Sequence, residues 1–193
     1  MTNEVKLLGV IASGFTFSHA LYGENFYSVT ISVKRTSGSV DLIPALISER
    51  LIDVSQNYLN ERVFLIGQFR SYNQHKENKN TLKLYVFITE IVFTDEGKDV
   101  NDVFLEGYLC KKPTYRHTPR GREVADALLA VNRAYNKSDY IPCICWGRNA
   151  FYVRSLNAGD HIRVAGRIQS REYVKNSETK TAYELSVNLL ELC

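Results

Sequence analysis

The chain has 193 residues, a formal net charge of +3 and an apolar content of 45%, enough for one large or two small folded domains. No apolar run approaches the roughly 18 residues that cross a membrane as a helix, and the opening MTNEVKLLG lacks the layout of a secretory signal. The four cysteines, Cys110, Cys143, Cys145 and Cys193, form neither a CxxC nor a paired zinc spacing, which points to free thiols in a reducing cytoplasm.

In chain order, residues 5–11 read as a short strand and 12–25 as a loop or hairpin. Tyr27, Val29, Ile31 and Val33 alternate with Ser28, Thr30 and Ser32 in a half-buried strand. Ser37-Gly38-Ser39 turns the chain into a strand over 41–47, which Pro44 confines to an edge or a bulge. Ser48 has the chemistry of a helix cap, and a short helix is expected through Asn60. Val63, Leu65, Gly67 and Phe69 line a fourth strand, 72–81 is a polar hairpin tip, and Leu84, Val86 and Ile88 line a fifth strand. The polar residues 94–101 form a junction.

The same plan then recurs. A strand over 103–110 leads into a basic loop, KKPTYRHTPRGRE, at 111–123. Strands follow at 124–133 and 140–146, then a short helix over 149–156 ended by Asn157-Ala158-Gly159. Ile162, Val164, Gly166 and Ile168 point inward on the next strand, so Arg163, Arg167 and Gln169 point outward. A second hairpin tip spans 171–181, and Tyr183, Leu185, Val187 and Leu189 close the sheet.

The recurrence is visible in the letters themselves. Asp41-Leu-Ile-Pro44 returns as Asp139-Tyr-Ile-Pro142, Val33-Lys-Arg35 as Val131-Asn-Arg133, and Gly9 as Gly107. Gly67 and Ser71 return as Gly166 and Ser170 after one inserted residue. The chain therefore reads as two domains, 1–97 and 101–193. Residues 1–100 hold 10 Lys+Arg against 11 Asp+Glu, and 101–193 hold 14 against 10, so the basic excess lies in the second half and suits a polyanion there. Five strands with a short helix between the third and fourth, twice over, is the order of two tandem OB-folds, an all-β architecture of Greek-key barrels. Such barrels bind oligonucleotides or oligosaccharides across strands two and three, between two loops that here are 111–123 and 171–181.

Strand 140–146 carries the strongest functional signal. Tyr140, Pro142, Ile144 and Trp146 share one face, and Ile141, Cys143 and Cys145 share the other, which is small, apolar and suited to a core. Two rings six residues apart can hold neighbouring bases of an extended strand. Arg163, Arg167 and Arg171 on the strands and Lys112, Arg116, Arg120 and Arg122 on the facing loop are candidate phosphate contacts. Arg133 is a further candidate that could equally fix its turn.

The second unit resembles the bacterial single-stranded DNA-binding proteins through TYRHTPRGREVADALLAVNR, YIPCICWGR and AGRIQSREY. The resemblance implies that Tyr140, Trp146 and Tyr173 stack on bases and that Arg148 and Arg171 contact phosphates. It implies sequence-tolerant binding of single-stranded DNA without reaction, in replication, repair or recombination. It also implies a cytoplasmic, nucleoid-associated homodimer that brings four OB-folds together and meets replication or repair proteins. The family carries a Gly-rich tail with an acidic tip, whereas this sequence ends at Leu190-Glu-Leu-Cys193, so recruitment through such a tip is not expected. In the first unit Leu42 and Ser48 stand where the second has Tyr140 and Trp146, and Tyr72 lies only near the match to Tyr173. A different reading makes the chain a primosome-like adaptor whose OB-folds mainly hold other proteins. RNA is a further possible ligand, since stacking barely distinguishes the sugars. No cofactor or metal is expected, because His19, His75, His117 and His161 have no ligand-like spacing. No enzyme is expected either, because Asp126, Asp139 and Asp160 are scattered and no Ser–His–Asp arrangement occurs.

Overall fold

The computed structural model describes residues 2–76, 79–175 and 177–193. Glu77, Asn78 and Asn176, at the two expected hairpin tips, lie outside the described residues, as does the side chain of His75. The strands are β1 (Asn3–Ile11), β2 (Thr16–Leu21), β3 (Glu24–Lys34), β4 (Val40–Ser48), β5 (Arg62–Lys76) and β6 (Lys79–Phe93). They are followed by β7 (Val100–Leu109), β8 (Thr114–His117), β9 (Glu123–Arg133), β10 (Lys137–Trp146), helix α1 (Arg148–Val153), β11 (His161–Lys175) and β12 (Glu178–Leu192).

Each half closes on itself as an OB-fold. In the first, β1 pairs antiparallel with β5 and, at Val10–Ile11, with β3. β3 pairs with β4, β4 meets β6 in parallel at Ala45–Leu46, and β6 lies beside β5. In the second, β7 pairs with β11 and, at Tyr108–Leu109, with β9. β9 pairs with β10, β10 meets β12 in parallel at 143–145, and β12 returns along β11. Closure satisfies the backbone groups that an open sheet would leave at its edges. The short strands β2 and β8 are added outside the rings, against β3 and β9. The basic stretch 111–123 is therefore a hairpin arm rather than a plain loop.

The repeated residues have matching physical jobs. Val33 pairs across the ladder with Asp41, and Val131 with Asp139. Both aspartates are buried, and each meets the arginine at the end of the preceding strand, Arg35 and Arg133. Gly107 lies where β7 leaves β11 for β9, and a β-carbon there would overlap the carbonyl oxygen of Ala130. At Gly166, beside the register shift between β11 and β12, a β-carbon would overlap the carbonyl oxygen of Ser186. Gly9 and Gly67 face the same obstruction in the first half.

One expected element is absent. Residues 49–60 form successive turns, not a helix. The Asp53 carboxylate accepts from the Ser55 amide and hydroxyl at 3.1 and 2.7 Å, and Asn57 accepts from the Leu59 amide at 3.0 Å. Such local side-chain bonds compete with the helical ladder. The Ser55 hydroxyl, then its amide and Gln56, hold the Asp53 carboxyl below its ordinary range. Ser48 does accept from the Arg50 amide at 3.1 Å, but it caps a turn. In the second half the helix forms, shorter than expected at Arg148–Val153, and buries Ala150 and Val153. Pro44 lies just before the residues of β4 that pair with β6, where a missing N–H costs the ladder least.

By contact density the chain forms two compact units. One is Glu4–Phe69 with Tyr85–Asp102. The other is Val103–Cys193 with the hairpin Arg70–Leu84 and the first three residues. Within this second unit Ser71 of the hairpin donates its amide to Asp139 Oδ1 at 2.8 Å, and its hydroxyl oxygen accepts the Tyr140 amide at 2.8 Å.

The core of the second barrel is built from the inward residues of alternating strands, among them Leu105, Leu129, Val131, Ile141, Ile162, Val164 and Leu185. Cys143 and Cys145 belong to it, and burial pushes both thiols up, Cys145 to about 12. Cys110 and Cys193 are exposed. A thiol reagent should accordingly titrate two cysteines in the native protein and four after unfolding. Rapid native reaction of more than two would show that β10 does not bury its sulfurs.

Candidate nucleic-acid interface

The face of β10 opposite the core carries Tyr140 and Trp146 to the surface, 44% and 37% exposed. Ile144, between them in the same row, is buried. At about 3.4 Å per residue the two rings are roughly 20 Å apart along the strand, so they cannot hold neighbouring bases as the spacing suggested and suit bases several nucleotides apart. Tyr173, on the β11 arm opposite Lys180, is 37% exposed. All three rings present a free surface, as stacking requires. The matching positions of the first barrel differ in kind: Leu42 is exposed without a ring, and Ser48 is buried with its hydroxyl donated to Glu24. Tyr72 is exposed on the hairpin that packs with the second unit.

The basic residues fall into two groups by what already neutralises them. Arg148, at the start of α1, and Lys112, Arg120 and Arg122, on the β8 arm, are exposed and make no ion pair among the described residues. The others are engaged. Arg116 bridges Asp126 at 2.9 Å, and Arg171 bridges Glu184 at 3.3 Å. Arg167 donates to Gln169 at 3.1 Å, and Gln169 donates to Glu184 at 2.9 Å. Arg163 bridges Glu106 at 2.8 Å, and its hydrogen bond holds that carboxyl below its ordinary range against the opposing effect of burial. Arg133 lies 3.5 Å from the buried Asp139. That pair spans the turn between β9 and β10. A cation with a carboxylate at its side must give up that partner to meet a phosphate, so the unpaired group carries more of the attraction.

Trp146 also forms one wall of an open cavity of about 880 Å³, completed by Arg148, Asn149, Phe151, Tyr152, Arg154, Ser155, Asn188 and Leu189. Phe151 and Tyr152 are 52% and 44% exposed. The Arg154 guanidinium stands 3.8 Å over the Phe151 ring and 5.1 Å from that of Tyr115. Tyr115 in turn donates its hydroxyl to Glu123 at 2.6 Å, which pushes the phenol up. No acidic residue lines the cavity. Sequence reasoning missed Phe151, Tyr152 and Arg154. The available signal was RNAFYVR: two adjacent rings on a six-residue helix cannot both face the core, and arginines flank them.

The Single-strand binding protein family model matches residues 100–193. Residues 100–193 are thus similar to the single-strand binding protein family. Among individual members, the Single-stranded DNA-binding protein of Bacillus cereus is 38% identical over 95 residues, covering 46% of this chain and 55% of that protein. Single-stranded DNA-binding protein A of Bacillus subtilis is 41% identical over 81 residues, covering 38% of this chain and 47% of its own length. The chain thus spans about half the length of the curated relatives it matches. The fold likeness reaches further than the family match. The wild-type single-stranded DNA binding protein from Thermus aquaticus superposes with a TM-score of 0.81 over 99% of this chain and 92% of its own, at 19% identity. Both barrels, and not only the family half, share that fold. No described helix is long and apolar enough to cross a membrane.

Proposed function

We propose that this chain binds single-stranded nucleic acid through the second barrel, by stacking bases on Trp146, Tyr140 and Tyr173 and by attracting phosphates to Arg148, Lys112, Arg120 and Arg122. The observation that carries the reading is Trp146: an exposed indole at a strand end, beside an unpaired arginine, opening onto a basic, aromatic-lined cavity. Stacking accepts any base, because every base has a π-face. Binding is therefore sequence-tolerant and needs no reaction. Arg171, Arg116, Arg163 and Arg167 serve as a second rank that reaches phosphate only by releasing Glu184, Asp126, Glu106 and Gln169. The family match over residues 100–193 supports the same ligand, and the proposal extends to a cytoplasmic homodimer that serves replication, repair or recombination.

Trp146 is the chain's single tryptophan, so its fluorescence reports the site without a label. Titration with oligo-dT at low salt should quench it. Added salt should reverse the quenching with a slope of log K against log salt of about −3, since four released phosphate contacts contribute about −0.7 each on a single strand. No quenching by folded protein at low salt would remove the proposal. A slope near zero would remove the phosphate contacts from it. Oligo-rU in a parallel titration should also quench, since the rings do not read the 2′-hydroxyl.

A further inference from the structure

Away from the ring face, three side chains with different metal-binding chemistry converge on the sheet β7–β11–β12. Arg163 pairs across the ladder with Glu106, and His161 precedes Arg163 by two residues on the same face of β11. On the other side of β11, the amide of Cys193 donates to the His161 carbonyl at 2.9 Å, which continues the β11–β12 ladder to its end. One ligand atom from each of Glu106, His161 and Cys193 lies within 4.8 Å of the others. The Glu106 and His161 side chains are already held in place, and Cys193 through its backbone. Glu106 Oε1 lies 3.1 Å from His161 Nε2, while its Oε2 accepts from Arg163 Nε at 2.8 Å. The His161 ring stacks on Tyr108 with centroids 4.6 Å apart and planes 15° apart.

We propose that Glu106, His161 and Cys193 form a binding site for one zinc ion, with water as its fourth ligand. The donor set selects the metal. A thiolate with an imidazole suits zinc, whereas magnesium and calcium require oxygen ligands. Bonds of about 2.0–2.3 Å in a tetrahedron set ligand atoms roughly 3.2–3.8 Å apart, so small side-chain rotations bring the three into range. Arg163 binds the carboxylate oxygen that the metal does not need and so orients the other, as second-shell partners of metal ligands do. Two anionic ligands offset the charge of the ion beside that guanidinium. The consequence is a clip that ties the end of β12, through β11, to β7.

Cobalt(II) tests the site directly, because a thiolate–cobalt bond gives a near-ultraviolet charge-transfer band that neither imidazole nor carboxylate produces. Reduced full-length protein should bind one equivalent of cobalt with that band, and zinc should displace it. Cys193→Ser should abolish the band, His161→Ala should weaken cobalt binding at least tenfold, and Cys110→Ser, which removes the other exposed thiol, should change neither. Zinc should raise the Tm of the wild type and leave that of Cys193→Ser unmoved, which separates metal loss from misfolding. The site is refuted by absence of the band at stoichiometric cobalt, by its persistence in Cys193→Ser, or by its loss in Cys110→Ser. None of these readouts involves nucleic acid.

Discussion

Replacing Trp146 with alanine should weaken oligo-dT binding by about 5- to 150-fold, the equivalent of the roughly 1–3 kcal/mol that one stacked base contributes. The loss should be read by anisotropy of a labelled oligonucleotide, since the variant no longer fluoresces. Trp146 is 37% exposed, so part of the indole also packs against the protein and its removal costs some stability. Trp146→Phe separates the two effects, because it keeps a π-face and most of the packed surface. It should recover most of the affinity. Tyr173→Ala should lower affinity further and nearly additively, since Tyr173 stands on the β11 arm rather than on β10. Unchanged affinity in a folded Trp146→Ala variant would exclude the indole from the ligand's path.

The largest effect on stability should come from Asp139→Ala. Asp139 is 1% exposed and accepts the Ser71 amide at 2.8 Å while facing Arg133 at 3.5 Å. Removing the carboxylate strands a buried N–H and leaves a guanidinium without its counterion. Breaking a buried pair in this way costs about 3–5 kcal/mol, and the lower end applies because Arg133 is 28% exposed and water can reach it. In urea the unfolding midpoint should fall by about 1–2 M for a slope of about 2 kcal/mol/M. Asp139→Asn keeps an acceptor for Ser71 and should recover part of the loss. Equal stability of Asp139→Ala and the wild type would mean that neither contact contributes.

Much of this architecture was legible in the letters because it is written in period-two alternation, which is local. The alternation of 140–146 and the inward row at 162–168 read the same in sequence and in space, whereas the row expected at 183–189 holds only at Leu185 and Val187: the register shift opposite Ala165 and Gly166 turns Leu189 outward, and Glu184 and Ser186 are buried. The repeat was legible for a related reason: its matches, Asp41 with Asp139 and Gly9 with Gly107, are residues whose jobs tolerate few substitutes. The helix expected over 48–60 failed because Asp53 and Asn57 bond their own backbone, a competition that a capping pattern does not reveal. Among the candidate site residues, the rings were foreseeable as outward positions on a strand. The state of the arginines was not. Whether Arg148 is unpaired or Arg116 is held by Asp126 depends on which strands become neighbours, and the cluster of Glu106, His161 and Cys193 joins positions that spacing rules never compare.

Ser71 holds the Asp139 carboxylate with its amide and the Tyr140 amide with its hydroxyl, and this bears on how a duplicated chain ages. A tandem copy that has lost its own ligand surface is ordinarily free to drift or be deleted. Here the first half supplies a hydroxyl that seats the backbone of Tyr140 and an amide that holds the carboxylate beside it. Drift at that hairpin would be felt at the sibling's surface, so selection on the second half alone can preserve this part of the first.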